Sequence, residues 1–203
     1  ANKKNGRAQK IADSVRTAFK TARGRVVYDG AGLKPDVDVE KAEIPEILIA
    51  LSSKNVIFDY ATHYKFSHDS IVEPKLFSLT DTEYNEFVNF ASEKDIDYET
   101  RVEKKIKELS NSAEKDGVLN KIEKEIEALK NEVALNKKED LKTHKQLIKE
   151  LIESEIVLRY YYEQGTIEAS FDTDDDVQSA LELLKDDSKY NQILSVQKWG
   201  LED

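Results

Sequence analysis

Apolar residues fall into two patterns along this chain, and the change comes near residue 42. Before it, short runs alternate: Phe19 to Thr21 and Arg25 to Tyr28 read as two short strands around Ala22-Arg23-Gly24. Gly24 supplies the positive φ that such a hairpin turn needs. Gly30-Ala31-Gly32 lets the backbone bend, and Pro35 pushes Lys34 into an extended conformation. Val37 and Val39 then alternate with Asp36, Asp38 and Glu40, which predicts a half-buried strand. Upstream, residues 1–18 are polar, with a weak helical pattern at Ile11, Val15 and Ala18. A strand region this small cannot bury its own face and needs a partner.

From Ala42 the apolar period becomes helical. Ile44, Ile47, Leu48 and Leu51 mark a helix with Pro45 in its first turn, and Val56, Ile57, Tyr60, Ala61 and Tyr64 continue the stripe to about Phe66. Pro74 ends that region. Thr80 with Glu83 forms a capping-box pattern ahead of Tyr84, Phe87, Val88 and Ala91. Val102, Ile106, Leu109 and Ala113 follow 4-3-4 spacing; after Gly117, Leu119, Ile122, Ile126, Leu129 and Val133 step 3-4-3-4, a heptad-like seam. Leu141, Ile148, Leu151, Ile152, Ile156 and Tyr160 carry another long helix. The short break near Asn136 predicts that it packs antiparallel to the preceding one. Asp172 or Thr173 caps a helix bearing Val177, Ala180, Leu181 and Leu184, and a last short helix holds Tyr190, Ile193 and Leu194.

Composition agrees with elongated amphipathic helices. Of 203 residues, 39% are hydrophobic and 35% charged, a balance in which each helix buries one stripe and solvates the rest. A net charge of −10 argues against general affinity for nucleic acid. The basic cluster Lys3, Lys4, Arg7 and Lys10 reads as a solvated end. There is no cysteine, hence no disulfide and no thiolate chemistry, and no apolar run long enough to span a membrane. The chain also has no methionine and opens on a loop-like stretch, which suggests a piece of a longer protein.

Candidate chemistry is sparse. His63 and His68 are five apart, where a helical metal pair needs three or four, and His144 is distant, so they read as ordinary surface or packing histidines. Asp172-Thr173-Asp174-Asp175-Asp176 suggests a calcium loop, but Val177 stands where the loop needs Gly and Leu183 where it needs Glu, so helix capping is the better reading. Tyr160-Tyr161-Tyr162 point in different directions on a helix and form no single platform; Tyr160 is expected in the core and the others at a helix or domain contact. Ser52, Ser53 and Lys54 lie at a helix end with Lys54 exposed, which does not provide the neutral lysine of a Ser–Lys dyad. No catalytic, cofactor-binding or metal-binding residue is assigned.

Gly24-Arg25, Tyr28-Asp29-Gly30, Gly32-Leu33 and Pro35-Asp36-Val37 resemble the "GR…YDG-GI-PDV" pattern of carboxy-terminal processing peptidases, also called tail-specific proteases, in the form found in Bacteroidetes members. Phe58-Asp59-Tyr60-Ala61 and Lys189-Tyr190-Asn191 with Ile193-Leu194 are similar to the tail of those members. The resemblance is clear over about the first third of the chain. It implies a parent that cuts proteins in the cell envelope or periplasm with a catalytic Ser and Lys, commonly beside a PDZ domain; both residues would lie upstream of Ala1.

These readings give a mainly α fold: a helical bundle with long antiparallel helices, preceded by a short β segment left from the catalytic domain. The expected domains are 1–41, the remnant of the catalytic domain, and 42–203, the helical domain. The expected function is non-catalytic: a structural, substrate-access or oligomerisation role, with no cofactor. Expected partners are the rest of the parent peptidase, its unfolded protein or peptide substrates, and a second copy in a homo-oligomer. The alternative is a stand-alone helical adaptor or self-associating interaction protein.

Overall fold

The structure, a computed structural model, describes residues 3–4, 7–8, 16–22, 24–29, 35–40 and 43–195. It is mainly helical, with short antiparallel strands at the N-terminal end. The described residues fall into two compact units, one from 42–171 and one from 1–41 together with 172–203.

The larger unit is built on α1 (Glu46–Ser53), α2 (Val56–Ser67), α3 (Asp81–Ser92) and α7 (Lys145–Ser170). Pro45 stands just before α1, and Ile44 lies outside the helix and is exposed. The apolar stripe predicted from Ile44 to Phe66 is divided at Asn55, whose φ of 58° separates α1 from α2. Asparagine tolerates that left-handed conformation better than most residues, so a single residue turns the chain without glycine. Pro74 opens a one-turn 3-10 helix (Pro74–Leu76) that packs on α7.

Thr80 caps α3 as the spacing predicts: its hydroxyl accepts from the Glu83 amide while the Glu83 carboxylate accepts from the Thr80 amide. Two free N–H groups at the helix start are thereby satisfied. The core gathers Leu51, Val56, Ala61, Leu79, Tyr84, Phe87, Ile148, Ile152 and Ile156, all essentially removed from water. Tyr60 meets Phe87 edge to face at 5.2 Å between ring centroids, the geometry that ring quadrupoles favour.

Between α3 and α7 the chain forms a helical hairpin of α4 (Arg101–Lys115) and α5 (Leu119–Lys138). Thr100 and Glu103 form a second capping box at its start. At the tip, Gly117 has φ +69°, Val118 donates its amide to the Ala113 carbonyl and Gly117 to that of Glu114. Those two bonds close the helix end and reverse the chain. A single turn, α6 (Asp140–Thr143), leads into α7. The antiparallel partner of α5 is thus α4, where the break near Asn136 suggested the next long helix; α7 instead packs mainly on α2. Gly117 sets this pairing, because a tight reversal brings adjacent helices side by side.

In the smaller unit, β1 (Lys3–Lys4) pairs with β2 (Arg7–Ala8), and β3 (Ala18–Lys20) pairs with β4 (Val26–Tyr28) in the register Ala18↔Tyr28, Phe19↔Val27, Lys20↔Val26. The turn has Gly24 at φ +84°, as the sequence requires. Of the three residues that carry the helical pattern read over residues 1–18, Ala18 lies in a strand, and Ile11 and Val15 lie outside the described residues. The Gly30-Ala31-Gly32 bend and Lys34 also lie outside them. The strand expected at Val37 and Val39 is absent among the described residues; both are half-buried, yet the segment bends instead of joining a ladder. Alternation sets which side chains turn inward, but a strand forms only where the backbone pairs with a neighbour, and here it does not. Asp36 pairs with Arg25. Further on, α8 (Asp175–Lys185) and α9 (Asp187–Leu194) follow. The α8 cap is Asp174, which accepts from the Val177 amide at 3.1 Å, one or two residues later than predicted.

Candidate functional site

The densest polar constellation lies where the hairpin leaves the larger unit, and the Thr100 cap builds it. Glu103, fixed in that capping box, also receives the Lys137 amine at 3.4 Å. Lys137 comes from the last turn of α5, donates to the Tyr98 carbonyl, and lies 4.4 Å from the centroid of the Tyr98 ring. The Tyr98 hydroxyl donates to Asp140 Oδ2 at 2.5 Å. Arg101, in the first turn of α4, reaches Glu43 and Glu46. Two shallow clefts share Tyr98 as a wall: one of about 370 Å³ bounded by Glu103 and Lys137, one of about 340 Å³ bounded by Arg101, Asp140 and His144.

The electrostatics make this a clamp. Burial, then the bond to Asp140, pushes the Tyr98 phenol above its usual range, so it remains a hydrogen-bond donor and does not act as a base. Burial works against the charge of Glu103, but the Thr100 amide and hydroxyl and Lys137 outweigh it, and the carboxylate is held below its usual range. Hydrogen bonding to Glu43 raises the Arg101 guanidinium still further. The arrangement positions backbone, its donors being engaged within the chain. It offers no activated nucleophile, since the Lys137 amine is spent on a carbonyl and a carboxylate.

A second polar network ties α2 and α7 to the start of α3. Glu83 accepts from the Tyr64 hydroxyl at 2.8 Å, and Glu153 accepts from the Ser78 hydroxyl and the Leu79 amide. Burial opposes the Glu83 charge, yet Thr80 and Tyr64 as donors leave it below the usual carboxylate range. Burial pushes Tyr60 and Tyr84 up to about 12.

The residues singled out in the sequence are not brought together. His63 is exposed and stacks on Phe90, His68 stacks on Tyr64 at 3.9 Å, and His144 lies at the start of α7. Among the described residues no group of three or more His, Cys, Asp or Glu is placed to hold a metal. Asp172 and Thr173 precede α8, Asp174 caps it, and Asp175 and Asp176 stand in its first turn. Ser53 donates to the Ala50 carbonyl, and Lys54, exposed at the end of α1, donates to that of Asp95. Tyr160 packs against the core and bonds the His68 carbonyl, while Tyr161 bonds that of Ile71. Tyr162 projects into solvent at a kink in α7.

The sequence reading missed the Tyr98 clamp. Thr100-x-x-Glu103 was a legible signal for its first half, but a lysine thirty-four residues beyond Glu103 could be joined to it only by the folded hairpin.

The hairpin also carries an incompletely covered seam. Ile106, Ala113 and Ile126 are buried, but Val102, Leu109 and Leu129 remain 53%, 45% and 48% exposed. In a closed two-helix seam such positions would be inside. Among the described residues no helix is long and apolar enough to cross a membrane.

Residues 47–184 match the family described as "Probable PDZ-protease, C-terminal helical domain". The match runs from α1 into α8 and so takes in the core, the clamp and the hairpin. Searches of curated proteins and of solved structures find no match.

Proposed function

Because this chain belongs to the family of C-terminal helical domains of probable PDZ-proteases, we propose that it is the non-catalytic region of a carboxy-terminal processing serine peptidase of the cell envelope. Residues 1–41 are the end of the catalytic domain and 42–203 the helical region; the serine and lysine that cut peptides belong to another part of the parent. The exposed apolar side chains of the β3–β4 ribbon, Phe19, Val26, Val27 and Tyr28, support this assignment, because a two-stranded ribbon needs a larger sheet or another surface to cover them.

The role of the helical region is assembly, and the observation that carries it is the open seam of Val102, Leu109 and Leu129. A second copy fits this seam. It brings the same partly covered apolar residues, so each hairpin would cover the other's seam.

Sedimentation velocity over a rising concentration series tests assembly. The expected result is a dimer that Leu109→Lys with Leu129→Lys abolishes. A chain that remains monomeric at high concentration removes the assembly role. Incubating the purified chain with an unfolded protein is expected to give no cleavage; turnover blocked by a serine-directed inhibitor would place the catalytic residues within it.

A further inference from the structure

In the bend of α7 backbone and sequence oppose each other. Tyr162 has φ 58° and ψ −162°, inside a stretch whose neighbours are helical. Only glycine occupies that region without strain. The Tyr162 side chain is 77% exposed, so its own packing does not hold it there. The surrounding residues, Leu158 to Ser170, contain no proline and a single glycine, so their local preference is to run on as a helix.

The bend is held from both sides. Before it, the Tyr160 hydroxyl bonds the His68 carbonyl, with the Lys65 amine 3.5 Å from the centroid of its ring, and Tyr161 bonds the Ile71 carbonyl. After it, Lys75 lies 5.6 Å from the centroid of the Phe171 ring. Gly165 fits because it lacks a side chain: a Cβ there would meet the Tyr161 Cβ at 2.2 Å. In a continuous helix, residues four apart carry Cβ atoms about 5–6 Å from each other and the clash disappears.

We propose that α7 is a two-state element: the bent form described here, and a straight helix in which Tyr162 relaxes and the Lys75–Phe171 contact is given up. A ligand or partner that contacts residues 163–171 differently in the two forms would select between them. Local strain and the tertiary tethers oppose each other, the setting in which one element can hold two arrangements.

The chain has no cysteine, so Gln146→Cys with Glu168→Cys places two spin labels without background. A straight helix separates these positions by about 33 Å along its axis, and the bend shortens that. Gly165→Ala disfavours the bent form and Tyr162→Gly relieves it, so the two are expected to move the bent-to-straight ratio in opposite directions, each by about tenfold. Pulsed electron paramagnetic resonance reads the populations. A longer distribution in Gly165→Ala than in Tyr162→Gly carries the proposal; superimposed distributions overturn it. Should Gly165→Ala fail to fold, the parent must show a long component that Tyr162→Gly removes, and identical short distributions in those two chains overturn it equally.

Discussion

The α2–α3–α7 core and the α4–α5 hairpin use the same apolar helical periodicity and reach different ends. In the core, each helix finds neighbours on more than one side: Ile148, Ile152 and Ile156 of α7 are wholly buried beside Tyr60, Ala61 and Phe87. In the hairpin each helix has the other as its main neighbour, and among the residues whose burial is described only Ile106, Ala113 and Ile126 are buried. A stripe of given width is therefore closed in one place and half open in the other. Apolar spacing specifies what a helix can bury; the number of neighbours sets what it does bury.

The largest expected effect lies in the core. Phe87→Ala removes a wholly buried ring that touches Tyr60 and Tyr84, and is expected to cost about 3–5 kcal/mol in urea unfolding. A loss below about 1 kcal/mol would show that the core is not the cooperative centre of the unit.

Ile126→Ala comes next, at about 2 kcal/mol, the low end for its type, because half-open neighbours can settle into the space. The sharper readout is hydrogen exchange. Amides of α4 and α5 are expected to lose protection while those of α2 and α7 keep theirs, since the hairpin has few contacts beyond itself. Uniform loss across all helices would make hairpin and core a single folding unit.

The two capping boxes give a smaller, matched pair. Thr80→Ala at the core and Thr100→Ala at the hairpin should each cost about 1 kcal/mol. Glu83 and Glu103 are both held below their usual range, so each favours the folded chain fully above the unfolded carboxyl value of about 4.3. That contribution is lost as pH falls through the lower folded values. Glu83→Gln and Glu103→Gln are therefore expected to destabilise the chain at pH 7 and to flatten the acid limb of its stability profile. An unchanged limb would mean that other carboxyls govern acid unfolding.

The smallest effect on folding is expected at the open seam. Leu109→Lys alters stability by less than about 0.5 kcal/mol, because a surface site is exchanged. Its effect should be on association, read by sedimentation. A large loss of monomer stability would show the seam to be internal.

Much of this architecture was legible along the chain. Thr80-x-x-Glu83, Gly117 and Gly24 each act within a few residues, and each does locally what its chemistry demands. The α4 and α5 stripes were legible for the same reason. Asn55 was not, since its turn uses a conformation that asparagine tolerates but seldom adopts. Nor was the Tyr162 kink, where Tyr160, Tyr161 and Gly165 give no local signal for a bend.

The residues by themselves determined that the described chain from 46 onward is mainly helical, that α3 starts at Thr80, and that the β3–β4 hairpin turns at Gly24, because those outcomes depend on neighbours three or four positions away. Only the folded molecule decided that α5 pairs with α4, that Lys137 closes on Tyr98 and Glu103, that Val37 and Val39 join no ladder and that α7 bends. These depend on which surfaces meet across tens of residues, and a helical period or an alternating run is compatible with many such meetings until packing selects one.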